Sequence, residues 1–307
     1  MALRPAGFID LPPNRSDDGL DHAAVLNRAD IAYIAHTSND ALDVVDLAQA
    51  RYLRSVQGFR GVAGVLVSQE RELVFTSNRG EHTVSYFPIR DEASVTTVPV
   101  GGRPNGLAFD AETNTLLAAN VGRLSGPPGF TVSLVDISEG RTRTDIEVPG
   151  RTRWAIFDRR SGRFYVNVRD PGQIIRIDPS EPSGIDGAFP IPAAGPHGLE
   201  IDSKGRRLFC ACDGARLVEV NLESGEVADV AALSGSPDVV FYNPRLEHLY
   251  VAIGTPGVLD VFDTNSMTKL ESVPTEDGAG TLIFNPETNR VWVILQKSHR
   301  LACFVDQ

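Results

Sequence analysis

Short runs of alternating apolar and polar residues fill the chain, and Gly, Pro, Asn or Asp closes each run. This is the pattern of half-buried β-strands joined by tight turns, and no stretch keeps a helical period over a useful length. One run organises the rest. RPNGLAFD, Arg103–Asp110, returns as WAIFD ending at Asp158, PHGLEID at Asp202, PDVVFYN at Asn243 and GTLIFN at Asn285. Looser copies, HAAVLN and AGVLVS, end at Asn27 and Ser68. The steps between these closing residues are 41, 42, 48, 44, 41 and 42. A period near forty, met seven times, is the mark of a propeller.

Each repeat divides into four strands. In the third they are predicted at Asn105–Asp110, Thr115–Asn120, Thr131–Ile137 and Thr144–Pro149. In the first they are predicted at His22–Asn27, Ile31–His36, Leu42–Leu47 and Tyr52–Val56. Third strands such as TVSYF, LVEVN and LDVFD alternate as antiparallel strands packed between neighbouring sheets should. The seventh repeat ends at Leu301–Val305 without a fourth strand, whereas Gly7–Pro12, GFIDLP, resembles fourth strands such as TDIEVP. The expectation is an all-β, seven-bladed propeller of four-stranded antiparallel blades, spanning 1–307 as one domain. Repeats fill 22–306, and the segment 7–12 completes the last blade, removing the open sheet edge. Two repeats are long. The insertion Val121–Phe130 lies on the face where the first strands start and is a candidate lid; Pro179–Ala188 lies on the other face.

The composition narrows the partners. Apolar content of 42% and charged content of 22% are ordinary for a globular chain of 307 residues, but the formal charge is −11. That balance disfavours a nucleic-acid partner, whose phosphates need Lys and Arg. The N-terminus has no apolar targeting core and no run is long enough to cross a bilayer, so the expected location is cytoplasmic with no membrane partner. Cys210 and Cys212 fall two apart on one strand, a spacing that suits neither a disulfide nor a CxxC site; with Cys303 they are expected to be buried thiols.

Candidate chemistry lies where the innermost strands converge. The residue five before each closing position is, in order, His22, Ala63, Asn105, Arg153, His197, Asp238 and Gly280. Repeats that are alike around a lining that varies suit an asymmetric small ligand. Arg153, His197 and Asp238 come from consecutive blades and should be neighbours. Arginine offers a planar fork to a carboxylate or phosphate, and histidine beside a carboxylate is the usual acid or base near neutral pH. His197 is therefore the candidate acid/base, with Asp238 to orient it. Arg153, Asn105, His22, His36, Arg169 and Asp213 are candidate substrate ligands. The bland alternative is an Arg–Asp ion pair across the mouth with His197 as packing. The ends of the second strands add a rim: His36, Asn78, Asn120, Arg169 and Asp213, with Gln296 and Lys297. Asn78 and Asn120 suit side chains holding their own turns. His22, His36, His197, Asp213 and Asp238 are also the nitrogen and oxygen donors available to a divalent metal ion, although no local metal motif unites them.

LVFTSNRGEHTVSYF (Leu73–Phe87), LLAANVG followed by FTVSLVD, and LYVAIGTPGVLDVFD (Leu249–Asp263) are similar to the YVTN repeat of YncE-like seven-bladed propellers. The resemblance covers nearly the whole chain. It implies the propeller fold, in a family that includes binding proteins and surface-layer proteins. Pro196–Gly198, PHG, is similar to a short element of virginiamycin B lyase-like propellers, whose chemistry uses a histidine and a divalent metal. The resulting expectation is a site at the channel mouth for a small anionic molecule, with acid/base chemistry of lyase, lactonase or isomerase type. The alternative is a non-catalytic scaffold that docks a protein partner.

Overall fold

The computed structural model describes residues 3–122, 129–181 and 184–307. Its strands form seven separate four-stranded antiparallel sheets, and six of these take their strands in simple chain order. Blade one consists of Ala23–Leu26, Ile31–His36, Ala41–Asp46 and Arg51–Gln57. The first strands of the next six blades are Val62–Ser68, Pro104–Asp110, Thr152–Asp158, Pro196–Asp202, Ser236–Asn243 and Leu282–Asn285. Each lies against the first strands of the neighbouring blades, and together they enclose the central channel. The only helical pieces among the described residues are two three-residue 3-10 turns, so no helix here is long and apolar enough to cross a membrane.

The ring closes as a two-ended clasp. The last blade orders its strands Leu3–Asp10, Arg300–Asp306, Arg290–Leu295 and Leu282–Asn285 from outside to inside. Leu3 stands opposite Asp306 and Asp10 opposite Arg300, with a bulge between Pro5 and Gly7. The closing strand therefore sits earlier than the predicted 7–12. The apolar pattern pointed at Ile9 and Leu11, and both are buried, but Leu3 is buried as well and pulls the pairing back to the start of the described chain. The fourth strand of blade three is likewise Arg141–Glu147 rather than 144–149. A bulge between Leu134 and Val135 absorbs one residue and brings the polar Arg141–Arg143 segment into the outer strand. In blade four the fourth strand begins at Ile185, inside the segment taken as an insertion. Of the Val121–Phe130 lid, residues 123–128 lie outside the described residues.

The core lies between blades. Leu26, Tyr33 and Val44 of blade one pack on Phe59, Val62, Val74 and Phe87 at blade two, and the same arrangement recurs around the ring. All three cysteines are buried free thiols, and burial drives the Cys210 thiol well above its ordinary range.

The inner strands approach unusually closely. A Cβ on Gly106 would lie 2.5 Å from the Arg153 carbonyl oxygen, and one on Gly198 would lie 2.4 Å from the Asp238 carbonyl oxygen. Only glycine fits at these contacts, so the NG and HG pairs of the repeat are what draw neighbouring blades together at the mouth. The same strands are bulged there, between Pro104 and Leu107, Thr152 and Ala155, and Pro196 and Gly198. A bulge reverses the alternation of faces. Residues three apart in sequence can therefore both reach the channel.

Candidate functional site

Two registers at the ends of the second strands have opposite fates. The last strand residue, His36, Asn78 or Asn120, is buried and points into its own blade. His36 Nδ1 meets Asp43 Oδ2 at 2.7 Å and Nε2 meets Asn14 Oδ1 at 3.0 Å. Asp43 in turn accepts from Ser55 Oγ at 2.6 Å. Asn120 likewise donates to Thr131 and Ser133, and Asn78 to Thr83 and Ser85. This position ties the second strand to the third and fourth. His36 is therefore internal to blade one, not a mouth residue as its rim position had implied. The next residue along, Arg79, Arg169 or Asp213, faces the mouth.

There the predicted neighbours do meet. His197 lies between two carboxylates, with Nδ1 2.7 Å from Asp213 Oδ1 and Nε2 3.1 Å from Asp238 Oδ1. Burial opposes its charging, but Asp238 and the hydrogen bonds to both carboxylates outweigh this and lift its pKa to about 8. Asp238 is shifted the other way. Burial alone would raise it, yet His197, with His22 and Arg153, pulls it down to about 2. Asp213 is also held below the usual carboxylate range against its partial burial, first by the hydrogen bond from His197. Its second oxygen sits 3.0 Å from Arg169 Nε and 3.9 Å from Arg153 Nη2. Asp213 thus fixes the imidazole, and Asp238, about a third exposed, is the more accessible of the two carboxylates.

Around this triad the charge is lopsided. Arg79, Arg103, Arg151, Arg153 and Arg169 gather over blades two to four, near enough that their charges act on Arg151 and Arg153. Burial, followed by those like charges, lowers Arg151 and Arg153 from the ordinary guanidinium value. Among the described residues the buried Nε atoms of Arg79, Arg151 and Arg153 have no partner. Arg79 also holds Asp21 at 2.9 Å and donates to Asn105 Oδ1 at 2.5 Å. A groove of about 650 Å³ runs outward from Asp213 between blades four and five, past Arg151, Arg169 and Phe130. His22 closes the ring on its inner side. It is lowered by burial and therefore neutral, with its ring 4.5 Å from that of Trp154.

Below His22 and Trp154 the channel changes character. It widens into a cavity of about 570 Å³ that opens on the opposite face. One complete ring of residues lines it, two before each closing position: Val25, Leu66, Ala108, Ile156, Glu200, Phe241 and Ile283. Six are apolar and one is a glutamate. The mouth and the channel cavity are therefore two places, with the His22–Trp154 contact between them.

No protein-family model matches the sequence, and no curated protein matches it. Solved structures do match in shape. A chain of hydrazine synthase from Kuenenia stuttgartiensis superposes with a TM-score of 0.82 at 13% identity, over 95% of this chain and 97% of that one. A chain of a mitotic checkpoint complex superposes with a TM-score of 0.82 at 11% identity, over 98% and 91%. The fold is a seven-bladed β-propeller. At these identities the likeness carries the architecture alone.

The five donors considered for a divalent metal do not form one set of free ligands. His36 is inside blade one, and both nitrogens of His197 are taken by carboxylates. Among the described residues no group of three or more His, Cys, Asp or Glu is arranged to hold a metal ion. Sequence reasoning missed Arg79 and Glu200. Arg79 follows Asn78 in the register shared by Arg169 and Asp213, and aligning the rim on that register would have found it. Glu200 stands alone among apolar counterparts when all seven repeats are aligned.

Proposed function

We propose that the propeller binds a small anionic metabolite at the channel mouth and that His197 donates a proton to it. One observation carries this reading: five arginines, three with partnerless buried Nε atoms, converge on one half of the mouth of a protein whose net charge is −11. Such a concentration of like charge is costly until an anion joins it. Arg151, Arg153 and Arg169 would take the carboxylate or phosphate end of the ligand.

With a pKa near 8, His197 is an imidazolium at neutral pH, so it serves as an acid and not as a base. A ligand oxygen that displaces Asp238 from Nε2 would receive that proton, while Asp213 keeps the ring in place. This assigns the orienting role to Asp213 in place of Asp238. Proton donation to an oxygen leaving group or enolate fits lyase, lactonase or isomerase chemistry. Asn105, fixed by Arg79, and His22 border the same space. Membership of the YVTN-repeat propellers is part of the proposal and rests on the repeat residues.

The scaffold alternative finds less support. Among the described residues the large exposed apolar side chains are three, Phe8, Val95 and Leu270, one each on blades seven, two and six.

Calorimetric titration with a panel of small carboxylates and phosphate esters tests the reading. The expected result is a ligand whose affinity falls at least tenfold in Arg151→Ala and Arg153→Ala, and whose turnover, but not binding, is lost in His197→Gln. Absence of any anion binding, or binding indifferent to both arginines, would overturn it.

A further inference from the structure

The channel cavity below Trp154 lies apart from the charged mouth. We infer that it binds a hydrophobic amine, with the ammonium group held by Glu200 and the apolar body enclosed by the channel wall.

The size suits a small molecule, since about 570 Å³ falls within the range of roughly 300–1,000 Å³ usual for such sites. The wall is made by the apolar members of the Glu200 ring and by Trp154, Phe109, Phe157 and Tyr242. Aromatic faces attract a cation as well as an apolar body. Glu200 is the one polar member of its ring, and it is half-buried in the cavity wall. Oε1 accepts the backbone N–H of Ile201 at 2.8 Å. That donor, with the Tyr242 backbone N–H nearby, steadies the group, and among the described residues no side-chain cation pairs with it. A carboxyl in that setting charges reluctantly, and burial lifts its pKa to about 7. A ligand that brings its own positive charge removes the reluctance.

The open end of the cavity has the matching sign. The titratable and charged groups along the lining besides Glu200 are His22, Glu70, Asp110, Glu112, Arg159 and Tyr242. His22 is neutral, and the Arg159 guanidinium is already tied to Glu70 and Glu112, the latter at 3.0 Å. The rim therefore carries surplus negative charge, which favours a cation and disfavours the anion proposed for the mouth. Binding is expected to strengthen as pH rises through about 7, where Glu200 gives up its proton to meet the ammonium ion.

The test uses phenethylamine and its neutral counterpart phenethyl alcohol, titrated calorimetrically into the full chain. The fluorescence of Trp154 reports on the same event, because the only other tryptophan, Trp292, is buried in the last blade. The expected outcome is saturable amine binding with a Trp154 response, at least tenfold tighter than the alcohol, and at least tenfold weaker in Glu200→Gln. Arg151→Ala should leave the amine affinity unchanged, which separates this site from the mouth. Ala24→Leu narrows the lining without touching Glu200 and should also weaken the amine, so the idea stays testable if the first variant folds poorly. Equal affinity for amine and alcohol, indifference to both cavity variants, or no saturable binding would overturn the proposal.

Discussion

The two ends of the channel are built by the same seven strands, on rings only three residues apart in sequence, yet they are opposites. The mouth ring carries Arg153, His197 and Asp238, and its charges are mutually engaged, with Asp238 about a third exposed. The inner ring is apolar apart from Glu200, whose carboxyl has no side-chain partner among the described residues. The difference shows how a repeat array separates two chemistries. In blades two to six a bulge in the first strand lets residues of both rings reach the axis, and each layer can then vary without disturbing the other. Electrostatics at the mouth is a matter of pairing; in the cavity it is a matter of desolvation.

The strongest way to break the comparison is to remove the residue that gathers the mouth. Asp213→Ala strands His197, Arg153 and Arg169 together and is expected to cost about 3 kcal/mol in urea unfolding. Amine binding in the cavity should survive. Next in size is Gly198→Ala, whose added methyl would collide with the blade-six backbone; a loss of about 2 kcal/mol is expected. Anion binding should suffer more than amine binding, because the clash sits at the mouth.

Proton linkage then sharpens the contrast. His197 binds its proton more tightly folded than unfolded, so its stabilisation is complete below pH 6.5 and is lost as pH rises through about 8. Unfolding free energies near pH 6 and pH 9 should fall by roughly 2 kcal/mol more in wild type than in His197→Gln. Glu200 also holds its proton more tightly when folded, so wild type loses stability as pH climbs from 4.5 through about 7. Glu200→Gln should therefore melt a few degrees higher than wild type near pH 8 and at the same temperature below pH 4.5. The smallest expected effect is that of salt: raising ionic strength should weaken anion binding among the mouth arginines more than amine binding at the half-buried Glu200.

The architecture was legible because seven copies repeat one signal, and an error in any copy is corrected by the others. Adjacency of Arg153, His197 and Asp238 followed from blade order alone. Single-residue register did not. His36 and Arg79 stand one place apart in the repeat, and that one place separates a side chain that ties strands together inside its blade from one that faces the mouth. Alternation within a strand cannot foresee this where a bulge reverses it. Glu200 was hidden for a related reason: its meaning depends on six neighbours from other blades being apolar, which only the assembled ring makes plain.

The clasp between Leu3 and Asp306 bears on how the molecule assembles in time. Six blades are hairpins of neighbouring sequence, which can form as soon as their own forty residues are available. The last waits for two segments about three hundred residues apart to find each other, the costliest loop closure in the chain. Until then the mouth ring is incomplete on both sides of the seam, where blade seven meets blade one and its His22. Binding competence is therefore a late event, and a pull on either end would open the ring at the seam before it disturbed any single blade.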